Sequence, residues 1–404
     1  MLFKEIIGQD DTKKHLAELV QHNRLSHALL FLGKEGNGSL LLAIALAQFL
    51  TCEKANPKRQ ISNATNSLFG GEPQNSKVGS HESPMDSCGV CSSCVKAQQL
   101  IHPDIHFSYP VVTKKSGSPP ISTDYISEWR SFIKTSPYGN VYDWLQYIGA
   151  ENKQGNITAQ ECNDIIRTLS LKSFESEYKI LILWMPEYLG NEGNKLLKLI
   201  EEPPPNTLFI LVAENDSLIL PTIVSRCQLI KIPALDIKEL ETALINRNNV
   251  NAETARQAAS VSEGNYREAL QIVQHTEEDW QSLLRDWLNA ILKTGPVAQT
   301  KWVDEVSRLG REKQKQFLRY FNHLLEQAIR YKLMGENIYL PDNEKDFANR
   351  LNRIASISQQ QAMIEELDKA TYHIERNAHA KILFHALTIK LYHIIQDKIV
   401  FLTG

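Results

Sequence analysis

The sequence predicts an α/β domain built on a parallel sheet, followed by a region of helices alone. Three observations carry that prediction. Short continuous apolar runs, Ala28 to Leu32, Ile180 to Trp184 and Thr207 to Ala213, have the length and unbroken hydrophobicity of strands buried on both faces. Helical stretches separate them. Past Pro233 no such run recurs, and apolar residues return only at helical spacing.

The first strand, its glycine turn and the helix after it organise the chain. Ile6 to Leu19 opens with Ile-Ile-Gly-Gln and continues as an amphipathic helix, with Leu16, Leu19 and Val20 on one face. Ala28 to Leu32 then runs through a glycine turn into the apolar helix Ser39 to Leu50. Strand, turn and helix make a phosphate loop when the turn reads Gly-x-x-x-x-Gly-Lys-Ser/Thr. The backbone N–H groups then cradle phosphates, the Lys reaches the β and γ phosphates, and the hydroxyl holds Mg²⁺. Gly33 and Gly38 keep the spacing, but Ser39 stands where the Lys belongs and Leu40 where the hydroxyl belongs. Leu cannot ligate Mg²⁺, and Ser has neither the charge nor the reach to stabilise a transferring phosphoryl group. Lys34 lies five residues before the required position, where it leaves the turn in another direction.

The strand Ile180 to Trp184 repeats the loss. Its end should carry the acidic pair that holds Mg²⁺ and orients water; it reads Trp184-Met185-Pro186, with Glu187 about three positions too far along. A loop with its shape but not its chemistry is expected. The competing reading is an active ATPase, and Ser39, Leu40 and Trp184 speak against it.

At 404 residues the chain is too long for one ordinary core, which suggests two or three domains. With 44 basic and 47 acidic residues the net charge is −3, so bulk charge argues neither for nor against nucleic acid. The N-terminus carries acidic residues where a signal peptide has its apolar core, and the longest apolar run, Leu40 to Ala47, is too short to span a bilayer. A cytoplasmic location is expected.

Six cysteines in such a chain point to a metal rather than to a disulfide framework. Cys88-Gly-Val-Cys91-Ser-Ser-Cys94 spaces three thiolates to wrap one tetrahedral Zn²⁺, with Cys52, at the end of the preceding helix, as the candidate fourth ligand. His81 and His102 are weaker candidates for that position, and a redox Cys-x-x-Cys is the alternative use. A zinc-dependent nucleic-acid binder would want a basic stripe here, and only Lys96 is near. Cys162 reads as a small buried apolar residue.

Residues Glu53 to Asp86 are rich in Asn, Ser, Gly, Pro and Lys, which predicts a flexible surface insertion. Ile105 to Val112 is a further strand. Ile121 to Ile148 gathers Trp129, Phe132, Tyr138, Tyr142, Trp144 and Tyr147 with few interleaved cations, favouring the core of a small helical insertion over a base-stacking platform. Ile157 to Leu171 reads as a helix with Thr158 as its N-cap. Asn191 to Glu202 reads as a helix stopped by Pro203-Pro204-Pro205. Pro221 to Arg226 closes on Ser225-Arg226-Cys227 before a strand Gln228 to Ile232. Arg226 can reach a phosphate on a neighbouring chain, or simply cap a helix C-terminus.

Beyond Pro233, Asp236 to Asn246, Ala252 to Ser260 and Tyr266 to Val273 form a three-helix unit, with Gly264 at the last turn. From Glu277 onward the pattern is a helical bundle. Phe317, Leu318, Phe321, Leu324, Leu325 and Ala328 share one face, and Ile382, Leu383, Ala386, Leu387, Ile389 and Leu391 repeat the idea near the C-terminus.

Several separated stretches resemble the delta-prime subunits of bacterial DNA polymerase III clamp loaders, in the AAA+ superfamily. They are Ile7-Gly8-Gln9, His27 to Phe31, the Cys triplet with His102-Pro103-Asp104, Asn194 to Pro204, Ser225-Arg226-Cys227 and Gly264 to Leu270. Arg376-Asn377 adds a match near the C-terminus.

The resemblance implies an AAA+ α/β domain of the P-loop NTPase kind over 1–233, with insertions at 53–87 and 113–156. It implies a three-helix lid over 234–275 and an all-α collar for oligomerisation over 276–404. It further implies a stator that hydrolyses no ATP itself, within a heteropentamer-like ring of motor and delta-type subunits that loads the sliding clamp onto primed DNA. In such a ring Arg226 would enter a neighbour's ATP site as an arginine finger. Cys52, Cys88, Cys91 and Cys94 would hold structural Zn²⁺. Gly33, Gly38, Ser39 and Arg267, the last matching the family's second sensor Arg, would mark the degenerate nucleotide site.

Overall fold

The computed structural model describes residues 1–55, 85–114, 117–150, 153–274, 280–335, 342–375 and 378–397. Most of the 53–87 insertion, His81 and Arg376-Asn377 lie outside the described residues. Two compact units divide the chain, Met1–Val273 and Gln274–Gly404.

The first unit is built on five parallel strands in the order β2-β3-β4-β1-β5: β1 Ala28–Leu32, β2 Ile105–Ser108, β3 Lys179–Trp184, β4 Thr207–Ala213 and β5 Gln228–Lys231. Because side chains alternate across a strand, the runs divide between two cores. Leu29, Phe31, Ile180, Ile182, Trp184, Leu208, Ile210 and Val212 face one. Ala28, Leu30, Leu181, Leu183, Phe209, Leu211 and Ala213 face the other. Burial on both faces is what an unbroken apolar strand requires.

Helix α1 spans Asp10–Gln21 and α2 Ser39–Thr51. Every residue of α2 is buried, which explains why it is apolar on all sides. The short α3 (Ser92–Gln98) comes next, and α4 (Ile126–Thr135) and α5 (Val141–Tyr147) occupy the 113–156 insertion before α6 (Ala159–Ser170). Thr158 caps α6 by accepting from Glu161 N. The aromatic run there is core: Trp129 and Trp144 are fully buried, and Tyr109 stacks on Trp129 at 4.0 Å. The expected strand Ile105 to Val112 ends at Ser108, with Val111 making only a single antiparallel bridge to Asn156.

The helix expected over Asn191 to Glu202 is different in kind. A tight 3-10 run over Pro186–Leu196, broken at Gly190 (φ 50°, ψ −138°), leads into the short α7, Leu197–Glu201. The positive φ at Gly190 marks a break just before the expected span, within which residues 191–196 wind as 3-10 turns and only Leu197–Glu201 as α-helix. Helix α8 covers Pro221–Val224, and α9 (Ile237–Asn248), α10 (Ala252–Val261) and α11 (Tyr266–Gln274) form the three-helix unit.

The second unit consists, among the described residues, of helices: α12 Trp280–Asn289, a π turn Ala290–Thr294, α13 Pro296–Val306, α14 Arg311–Met334, α15 Asp342–Ile354, α16 Ile357–Glu375 and α17 Ala380–Gln396. Its core stacks Trp287 on Trp302 at 4.4 Å, against Phe317, Phe321 and Phe384. The face of α14 predicted from Phe317 to Ala328 is buried. That of α17 needs correction, because Ile382 and Ile389 are 68% and 55% exposed while Phe384, Leu387, Leu391 and Ile394 are buried. The residues proposed for it mixed two sides of one helix, and only the set through Phe384 and Leu391 recurs on the inner side. No helix of the described residues is long and apolar enough to cross a membrane.

Candidate functional site

The glycine loop folds as its sequence dictates, then fills itself. Gly36 and Gly38 hold left-handed φ values of +71° and +90°. Between them Asn37 turns inward and is 1% exposed. Its Oδ1 accepts from Ser39 N at 3.0 Å and from Ser39 Oγ at 2.6 Å, and its Nδ2 donates to Ile232 O at 3.1 Å. The Ser39 N–H, which would cradle a phosphate, is satisfied within the loop. A Cβ on Gly33 would meet Asn37 Nδ2 at 2.2 Å and Ile232 O at 2.7 Å, so the turn closes tightly over that amide.

The segment that enters next was not legible from the loop. Tyr138 lies over Gly38, where an added Cβ would touch its ring at 3.2 Å, and its hydroxyl accepts from Ile7 N at 2.9 Å. Asn140 begins α5 and donates from Nδ2 to Glu35 Oε2 at 2.7 Å. Asp143 in the first turn of α5 receives Arg267, with Nε donating to Oδ2 and Nη2 to Oδ1 at 2.7 Å. Arg267 Nη1 lies 3.9 Å from Glu35 Oε1, and Arg267 is 5% exposed. Asn265 Nδ2 donates to Glu35 Oε1 at 3.0 Å, and Tyr266 N to Gly36 O at 3.1 Å. What remains beside the loop is a cavity of about 30 Å³, with Lys34 on its wall. Small-molecule sites run to roughly 300–1,000 Å³.

At the end of β3, Trp184 is 4% exposed and packs its ring 5.2 Å from Trp129. The position for metal-binding carboxylates holds an aromatic anchor for α4. Glu187 is turned elsewhere: its Oε1 accepts from Glu214 N at 2.6 Å and Asn215 N at 2.9 Å, and burial pushes its carboxyl up.

The cysteine cluster is organised in the opposite sense. Cys52 caps α2, Cys91 caps α3, Cys88 lies just before that cap and Cys94 in the first turn of α3, so two helix ends bring four thiols together. All four sulfurs lie within 4.8 Å of one another, and Cys88 Sγ is 3.9 Å from Cys94 Sγ. Sulfurs about 2.3 Å from one tetrahedral Zn²⁺ are about 3.8 Å apart, so the donor set fits that ion. Backbone N–H groups of Cys88, Cys91 and Cys94 point at Cys52, Cys88 and Cys91 Sγ, each at 3.4 Å, the support that thiolate ligands require. A hydrogen bond from Cys94 is the main cause that lowers Cys52, to about 4, and the same contact pushes Cys94 up. His102 is outside the group: its Nδ1 accepts from Asp104 N at 3.1 Å and its Nε2 meets Ser93 Oγ at 3.0 Å. Cys162 is buried, its Sγ 3.6 Å from Glu192 O.

Arg226 lies just past α8, one-third exposed, with Nε on Glu201 Oε1 at 2.6 Å and Nη1 on Thr222 O at 2.6 Å. The second contact is the helix-capping one. The first ties the guanidinium to Glu201 at the end of α7, immediately before the Glu202-Pro203-Pro204 turn, and fixes its direction.

Sequence reasoning missed Glu35, Asn37, Tyr138, Asn140 and Asp143. The Asn140-Val-Tyr-Asp143 capping box signals the start of α5, but nothing local signals its partner in α11, 124 residues on.

The sequence model of the family described as DNA polymerase III, delta subunit matches residues 8–69 and 66–236. The chain is similar to DNA polymerase III subunit delta' of Bacillus subtilis (strain 168), 26% identical over 270 residues, 67% of this chain and 60% of the relative. It is also similar to DNA polymerase III subunit tau of Escherichia coli (strain K12), 25% identical over 276 residues, 67% of this chain and 32% of the relative. The tau subunit of Bacillus subtilis (strain 168) is 24% identical over 339 residues, 81% of this chain and 46% of the relative. The chain thus spans less than two thirds of each of these relatives.

Proposed function

Since the chain belongs to the DNA polymerase III delta-subunit family, we propose that it is a clamp-loader subunit that hydrolyses no ATP and lends Arg226 to the ATP site of a neighbour. The observation that carries this reading is the self-filled nucleotide site. Asn37 takes the Ser39 N–H, Asp143 takes Arg267, Trp184 replaces the acidic pair, and about 30 Å³ is left over. Each change removes a part that phosphoryl transfer needs.

Arg226 supports the other half of the reading. Its Nε and Nη2 rest on Glu201 and its Nη1 on Thr222 O at a surface turn, and once exchanged from Glu201 onto a neighbour's nucleotide the guanidinium would stabilise charge building on the γ-phosphate. Motor and delta-type subunits are the partners, with the sliding clamp and primed DNA reached through the assembled ring. Cys52, Cys88, Cys91 and Cys94 would hold one Zn²⁺, which supplies no chemistry to the reaction and joins the ends of α2 and α3.

The test is the steady-state ATPase rate of the reconstituted loader with primed DNA, containing this chain as wild type or Arg226→Ala. Normal assembly with a loss on the order of 10³-fold at the site it completes is expected. Unchanged assembly and rate would leave Arg226 as a helix cap.

A further inference from the structure

We propose that Asp143, delivered by the segment between residues 113 and 156, takes the place of a bound phosphate and clamps the three-helix unit α9–α11 to the glycine loop with no ligand present. The proposal rests on the reading of the loop as a site that takes no nucleotide.

A guanidinium at the mouth of a glycine loop is the complement of a phosphate, and at 5% exposure it requires an anion. Here the anion is built in. Asp143 offers both carboxylate oxygens to the Nε and Nη2 fork of Arg267, the pairing phosphate oxygens would make. Its aim is set by α5: Asp143 N donates to Asn140 Oδ1 at 3.0 Å, and Asn140 N donates back to Asp143 Oδ2 at 3.2 Å. Glu35, in the loop, adds a second carboxylate that joins all three parts, accepting from Asn140 on the inserted segment and Asn265 beside α11. Tyr138 and Tyr266 meet edge to face at 4.8 Å and close the same junction. An anion that arrives and leaves switches a lid; one that is part of the chain holds it in one state. The three-helix unit of this subunit is therefore fixed, and the ring gains a rigid member.

Amide hydrogen exchange on the full chain, read by mass spectrometry, tests this. Asp143→Asn should accelerate exchange across residues 237–274 about tenfold, as for loss of a typical coupling, with β1, β3 and β4 unchanged. Asp143→Glu, which keeps the charge, should retain most of the protection. Arg267→Gln should match Asp143→Asn, and the double variant should be no faster than the faster single. Wild-type exchange should not respond to millimolar Mg-ATP.

Unchanged exchange in Asp143→Asn, or acceleration spread equally over the strands, would overturn the clamp and leave the proposed function standing. Slowing of wild-type exchange by Mg-ATP would overturn both.

Discussion

The glycine loop and the cysteine cluster lie at opposite ends of one helix, α2, and they have dealt with their polar groups in opposite ways. At the N-terminal end Asn37 fills the turn and accepts the N–H that a phosphate would take. At the C-terminal end four sulfurs converge within 4.8 Å and receive backbone N–H groups, a set of like donors turned toward one point. The difference teaches how to read a motif. A loop whose Ser39 N–H is answered from within has one donor fewer to offer a phosphate, whereas convergent donors of one kind call for a ligand.

The comparison breaks most easily at the cysteines. Structural Zn²⁺ contributes on the order of 10 kcal/mol in small domains. Cys94→Ser, or a strong chelator, should lower the melting temperature of the full chain by about 10 °C or more. Calorimetry alongside metal analysis checks this, and an unchanged melting temperature with no metal bound would remove the cluster from the account.

Trp184→Ala comes next. It opens a hole between β3 and the aromatic core of the 113–156 segment, at a cost of about 3–5 kcal/mol in urea unfolding. Asn37→Ala is smaller. It leaves Ser39 N and Oγ without their acceptor in a buried turn, and unfolding should register about 1–3 kcal/mol.

The smallest effect is the most informative. Restoring the motif with Ser39→Lys and Leu40→Thr should give no ATP binding by calorimetry, because Arg267 remains on Asp143 and the cavity remains small. Submillimolar binding by that variant would mean that the missing Lys and hydroxyl alone had kept ATP out.

The parts of the fold that obey local rules were legible. The bounds of β1 and β4, the start of α2 and the Thr158 cap come from apolar runs and turn chemistry. The cysteine cluster was legible because thiol spacing is itself a local signal, and Cys52 met the triplet although the insertion lies between them in sequence. The filling of the loop was not, because each contact joins segments far apart: Asn140 to Glu35 across 105 residues, Asp143 to Arg267 across 124. An amphipathic segment states that it packs, not where. The outer face of α17 misled for a related reason, since composition was read without the helical phase that decides which side chains point inward.

The most direct measurement is the native mass of the purified full chain after incubation with Mg-ATP, which reads both ends of α2 at once. The account predicts the mass of the chain plus one Zn²⁺ and no nucleotide. A nucleotide adduct, or a folded chain without metal, would contradict it.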